Sequence, residues 1–132
     1  MYAVFKGNMK IIKKFVNLDV NIFELNSQGS SLLHLAIISD QVNIMVYLRE
    51  KFKLDIYAKN NNGSTPLHLA CFYGSESCFN VLLSWIDIDN DNDNDNNNDI
   101  YYNDNINIKN DEGNTPMHFL ILTGNLIIYF FL

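Results

Sequence analysis

Thr65-Pro66-Leu67-His68-Leu69-Ala70 has an imperfect copy on either side, Ser31-Leu32-Leu33-His34-Leu35-Ala36 and Thr115-Pro116-Met117-His118-Phe119-Leu120. A motif recurring along a chain marks a repeat architecture, in which each copy is one supersecondary unit that buries its core by stacking on its neighbours. The best copy carries the parts of a helix start. Thr65 is a hydroxyl cap for an orphan backbone N–H, and Pro66 suits the first helical position, where its missing N–H costs nothing. Asn62-Gly63-Ser64, just before it, is a turn signal.

The T-P-L-H-x-A core, recurring with a period of about 33 residues, resembles the ankyrin repeat along nearly the whole chain. The resemblance implies an all-α ankyrin-repeat solenoid of helix-turn-helix units, two of them complete and flanked by partial ones. The expected divisions are a partial repeat at 1–27, a repeat at 28–61, a repeat at 62–111 carrying an Asp/Asn-rich insertion at about 87–104, and a truncated repeat at 112–132.

Aligning Gly7-Asn8 with the inter-helix turns Gly74-Ser75 and Gly124-Asn125 places Ala3-Val4-Phe5 at the end of a first helix and Met9 to Val16 in a second. Ile11, Ile12, Phe15 and Val16 follow helical spacing and are expected to face the next helix pair. Asp19-Val20-Asn21 resembles the D-V-N that ends an ankyrin repeat. The second unit lacks the proline and has Asp40 where the others have glycine, at a turn that calls for positive φ. Ser30 or Ser31 caps its first helix, and its second helix reads Val42 to Lys51 with Ile44, Met45 and Leu48 on one face. His34 and His68 are 34 residues apart, which puts one extra residue near Phe52-Lys53.

In the third unit Leu67, Leu69 and Ala70 are expected inward on the first helix, and Cys78, Phe79, Leu82 and Leu83 on the second. His68 and His118 are 50 residues apart, so roughly 17 residues have been inserted relative to the usual period. They form the tract Asp87 to Asn105, whose composition buries too little to offset ordering and predicts a disordered surface loop. The last unit ends in Leu126–Leu132, apolar on every side, whereas terminal repeats normally present a polar face. Both ends therefore read as cut, with Leu126–Leu132 a contact for further repeats, a partner or a second copy.

The chain has 132 residues, 48% apolar, and a net charge of −6. The charge is uneven: residues 1–59 hold eight Lys/Arg against five Asp/Glu, and the remainder one against ten. The acidic half argues against a nucleic-acid surface there. Lys6, Lys10, Lys13 and Lys14 read as the solvated face of a helix. Cys71 and Cys78 lie among apolar residues without a CxxC, as small core residues in a reducing, cytoplasmic setting. No signal pattern opens the chain, and no apolar run is long enough to span a membrane.

Three histidines invite a catalytic or metal reading. The resemblance instead makes His34, His68 and His118 structural, each ring hydrogen-bonded to backbone of the neighbouring turn. Successive copies of a stacked helix stand roughly 10 Å apart, too far for one zinc with Zn–N bonds of about 2.0–2.1 Å. The Thr65/His68 and Thr115/His118 pairs tie turn to helix and have no third member to make a nucleophile. Read as a calcium loop, the Asp/Asn tract fails in each register: from Asp89 the glycine and glutamate positions hold Asn94 and Ile100, and from Asp91 they hold Asn96 and Tyr102. No phosphate loop, nucleophile elbow or HExxH occurs. The expectation is a non-enzyme with no cofactor and no metal.

What remains is a recognition surface for a protein partner. The resemblance implies binding through turn tips, here Asn26-Ser27-Gln28, Lys59-Asn60-Asn61-Asn62 and Lys109-Asn110-Asp111-Glu112, and through the concave face of the first helices. Its groove residues would be Phe5-Lys6, Ile38-Ser39, Phe72-Tyr73 and Leu122-Thr123, one of each pair being open to a core role instead. Phe72 and Tyr73 stand out, since aromatics supply contact area at low entropic cost. Two rival readings are a regulatory segment of a larger multidomain enzyme or channel, and a weakly calcium-responsive acidic loop.

Overall fold

The computed structural model describes residues 1–92 and 105–125, and of 89–92 the backbone alone. The described residues form seven helices and no strand: α1 (Tyr2–Phe5), α2 (Met9–Asn17), α3 (Leu32–Ile38), α4 (Val42–Phe52), α5 (Pro66–Tyr73), α6 (Glu76–Asn92) and α7 (Pro116–Thr123). Consecutive helices pair as hairpins, α1 with α2, α3 with α4 and α5 with α6, while α7 opens a fourth unit. The first helices make one layer, in which α1 packs on α3, α3 on α5 and α5 on α7; behind it α4 packs on α6.

The core lies between these layers. Leu33, Ala36 and Ile37 of α3, Ile44, Met45 and Leu48 of α4, Leu67, Ala70 and Cys71 of α5, and Cys78, Phe79 and Leu82 of α6 are all buried in one cluster. Each set follows the three-to-four spacing that aligns side chains on one helical face. Leu69 and Leu83, also expected inward, are half-buried at its margin.

Local sequence sets the helix ends. Ser31, Thr65 and Thr115 are extended N-cap residues, each in a reciprocal capping box with the histidine three places on. Gly74 and Gly124 end α5 and α7 in the left-handed conformation. Asp40 adopts the same conformation in the second unit, at φ +51°. Its carboxylate accepts the Cys78 N–H at 3.2 Å, a bond to the next unit that glycine could not make. Lys53 closes α4 at φ +54°, where the extra residue was expected.

Two expectations are corrected. Ile12 is buried and Val16 half-buried, but Ile11 and Phe15, also expected to pack on the next helix pair, are exposed, Phe15 only bordering a cavity it shares with Leu32 and Leu48. Helical spacing reveals an apolar stripe without saying which neighbour covers it. The insertion does not begin as a loop at Asp87 either, because α6 continues through Asn92. Ile86 is buried at the last core turn, and extending a helix already anchored there is far easier than nucleating one, even through poor helix formers. The rest of the tract, 93–104, and the terminal 126–132 lie outside the described residues.

Candidate recognition groove

The turn tips are built alike from one asparagine each. Asn26 Oδ1 accepts the N–H groups of Gln28 and Ser30 at 3.0 and 2.9 Å. Asn60 does the same for Asn62 and Ser64, both at 3.0 Å, and Asn110 for Glu112 and Asn114 at 3.1 and 2.9 Å. Such a side chain imitates a backbone turn and holds the loop tight. Sequence reading placed these asparagines at the tips but missed this role; their constant offset three residues before Gly29, Gly63 and Gly113 was the available signal.

Adjacent tips are then joined. The Asn61 N–H donates to the Gln28 carbonyl at 3.0 Å and the Asp111 N–H to the Asn62 carbonyl at 3.0 Å. The side chains of Asn61 and Asp111 lie where a Cβ on Gly29 and Gly63 would stand, so both glycines are needed for contact as well as for their φ near +70°. Of the tip candidates, Asn60 thus braces its own turn, and Asn61 and Asp111 seat on the preceding tip. Lys59, Lys109 and Glu112 are exposed.

The histidines lock tips to helices. His68 Nδ1 lies 3.1 Å from the Thr65 N–H nitrogen, which must be the donor. Nδ1 is therefore bare and Nε2 carries the hydrogen, donating to the Asn114 carbonyl of the next tip at 2.9 Å. His34 repeats this with Ser31 N–H at 3.1 Å and the Ala58 carbonyl at 3.0 Å. Burial lowers both rings below the ordinary imidazole pKa, against the raising effect of the carbonyls around Nε2. Neither ring has a free lone pair for general-base work. The thiols are inert too: burial pushes Cys71 up to about 12 and raises Cys78, next to Asp40, further still.

Between tips and first helices runs a groove of about 270 Å³. Its floor is Ile38, Leu69, Phe72, Tyr73 and Phe119, and Asn60 and Glu112 stand on its tip side. Phe72 meets Tyr73 at 5.0 Å and Phe119 at 5.5 Å between ring centres, both edge to face, and Phe119 meets the locked His68 ring at 5.8 Å. Such pairs hold each other at fixed angles. Phe72 and Tyr73 are both exposed, so neither is a core residue. Ile38 and Ser39 are half-buried, the Ser39 hydroxyl donating to the Leu35 carbonyl at 2.8 Å. Phe5, Lys6, Leu122 and Thr123 are exposed at the two ends of the helix row. Phe119 was not singled out from sequence, although it follows the motif histidine as Leu35 and Leu69 do. Among the described residues no group of His, Cys, Asp and Glu could hold a metal ion, and no helix is long and apolar enough to cross a membrane.

These features define a helical-repeat protein whose stacked units line up their turn tips and first helices along one face. Residues 1–96 match the family model for ankyrin repeats, in three copies. The chain belongs to the ankyrin repeat family, whose members are generally protein–protein interaction modules. It is 39% identical over 64 residues to the SMC5-SMC6 complex localization factor protein 1 of Bos taurus, covering 48% of this chain and 6% of that protein. It is 26% identical over 133 residues to the leucine-rich repeat serine/threonine-protein kinase 1 of Caenorhabditis elegans, covering 96% of this chain and 5% of that one. The Notch-regulated ankyrin repeat-containing protein A of Danio rerio is 30% identical over 86 residues, 62% of this chain and 76% of that protein. The chain thus spans a small part of the first two relatives and most of the third.

Proposed function

We propose that this chain is a non-catalytic module that binds a protein partner in the groove between its turn tips and the α3, α5 and α7 helices. The observation that carries this reading is the pair of exposed rings Phe72 and Tyr73, held in place by ring-on-ring contacts with each other and with the half-buried Phe119, which meets the locked His68. Ordered aromatic surface on a rigid scaffold is what interface hot spots are made of. Lys59, Lys109 and Glu112 on the exposed tips supply a polar rim, and Ile38 extends the apolar floor. The working units are those divided at 27/28, 61/62 and 111/112, acting in a reducing cytoplasm that suits the buried free thiols. Affinity capture from source-cell extract tests it: proteins retained by the native chain should be lost from a Phe72→Ala/Tyr73→Ala variant and kept by Lys13→Glu on the opposite layer. A captured set unchanged by the double substitution would refute it.

A second reading has its own support, namely that the array is a regulatory segment of a larger protein. Nearly the whole chain aligns with a small fraction of a multidomain kinase. Determining the size of the native polypeptide separates a free-standing module from such a segment.

A further inference from the structure

Outside the groove, α1 and α2 carry a second group of exposed apolar residues, among them Tyr2, Ile11, Phe15 and Leu18. The N-caps Asn8, Gln41 and Ser75 put α2, α4 and α6 in register, so that Ile11 corresponds to Ile44 and Cys78, and Phe15 to Leu48 and Leu82. In the internal units all four counterparts are no more than 2% exposed, whereas Ile11 is 39% and Phe15 47% exposed. With Leu18, these residues make an i, i+4, i+7 stripe down one side of α2. A depression of about 430 Å³ runs beside it, lined by Met1, Tyr2, Ala3, Lys6, Ile11 and Phe15 with Asn8.

The charge around Ile11 and Phe15 is basic, with Asp19 following Leu18 at the far end of the stripe. Residues 1–18 contain Lys6, Lys10, Lys13 and Lys14 and no acidic residue. On the helical wheel Lys14 and then Lys10 border the stripe on the side away from the buried Ile12 and Val16. Lys6 lines the depression itself and leans over the Tyr2 ring at 5.7 Å. A second copy of this face would bring lysine against lysine.

We infer that the α1–α2 face docks an acidic amphipathic helix of a partner protein, its aliphatic stripe on Ile11, Phe15 and Tyr2 and its carboxylates along Lys6, Lys10 and Lys14. A helix is the occupant because helices cover the equivalent residues in the internal units. The carboxylates follow from the lysines that border Ile11 and Phe15. This surface is separate from the concave groove, and its occupant is recognised by charge and shape, where the groove offers neutral aromatic edges.

The test is fluorescence anisotropy at low salt with a labelled synthetic helix of about 20 residues, long enough to hold its shape. The helix carries leucines at i, i+4 and i+7 and glutamates on both flanks. The control is the same peptide with lysine for every glutamate. The glutamate peptide should bind at least about tenfold more tightly than the lysine peptide, and should weaken as salt screens the rim. Phe15→Glu should reduce its affinity about tenfold or more. The double variant Lys10→Glu/Lys14→Glu should do the same with Phe15 intact, both variants keeping the native helical spectrum because the residues are exposed. Phe72→Ala should leave it unchanged. Equal binding of the two peptides, retained binding in both variants, or loss of binding in Phe72→Ala would overturn the proposal. So would binding to phosphatidylserine vesicles without binding to the glutamate peptide, which would make the face a membrane surface.

Discussion

The turns at Gly63 and Gly113 are close in sequence and in their internal bonds, yet they differ in what lies on them. Each has an asparagine brace, a positive-φ glycine, a threonine cap and a histidine accepting the cap's N–H. The first is covered by the Asp111 side chain, and its His68 donates into the next tip. Among the described residues nothing stands where a Cβ on Gly113 would, and His118 is exposed and bonded only to Thr115. A repeat's local conformation is therefore written within the unit, while its burial and much of its stability come from the neighbour that follows.

Substitution at the paired positions measures that difference. His68→Ala leaves the buried Thr65 N–H and the Asn114 carbonyl without partners, and should cost about 3 kcal/mol. His118→Ala removes little more than an exposed cap bond, about 1 kcal/mol. Urea unfolding of both variants checks this, and equal losses would break the comparison. Gly63→Ala combines a left-handed penalty with displacement of Asp111, for about 2 kcal/mol or more; Gly113→Ala carries only the conformational part, about 1 kcal/mol. Melting curves of the pair should separate by several degrees.

Acid should act through the same locks. Burial lowers the folded-state pKa of His34 and His68 below the unfolded value of about 6.5. The stability they contribute is therefore complete above about pH 6.5 and is lost as pH falls from there through the folded values. Protonation must place a hydrogen on Nδ1, where the cap N–H already points. Urea midpoints should decline over this window before the carboxylates titrate, and less steeply in His68→Ala. The smallest expected effect on the fold is that of Phe72→Ala, within about 0.5 kcal/mol, since the ring is exposed. The same substitution is expected to weaken partner capture.

Much of the architecture was legible because its determinants are local. The Thr-Pro and glycine punctuation, the core stripe Ile44, Met45 and Leu48, and the burial of both cysteines follow from spacing within single units. Even the left-handed Asp40 could be placed from its alignment with the turn glycines of the other units. What escaped depends on contacts between units. The spacing of Ile11 and Phe15 resembles that of internal residues, but among the described residues no helix covers them as it does their counterparts. The start of the Asp/Asn tract looked like a loop by composition, yet Ile86 carries α6 into it. At the groove, Phe72 and Tyr73 were evident as aromatics at a helix end. Phe119 was hidden inside the motif, the brace of Asn60 on its own turn was signalled only by its fixed offset before Gly63, and Asn61 and Asp111 could not be seen as braces until adjacent tips were seen to touch.

The central claim is that the internal histidines are neutral locks, each bridging its own cap and the next tip. A long-range proton–nitrogen correlation spectrum of the native chain at neutral pH tests this most directly, since it reports which ring nitrogen carries the hydrogen. The account predicts the Nε2–H tautomer for His34 and His68, with both Hε2 protons visible because they are buried in hydrogen bonds, and that of the exposed His118 lost to exchange with water. Finding Nδ1–H at His34 or His68, or Hε2 protons that exchange as fast as that of His118, would contradict it.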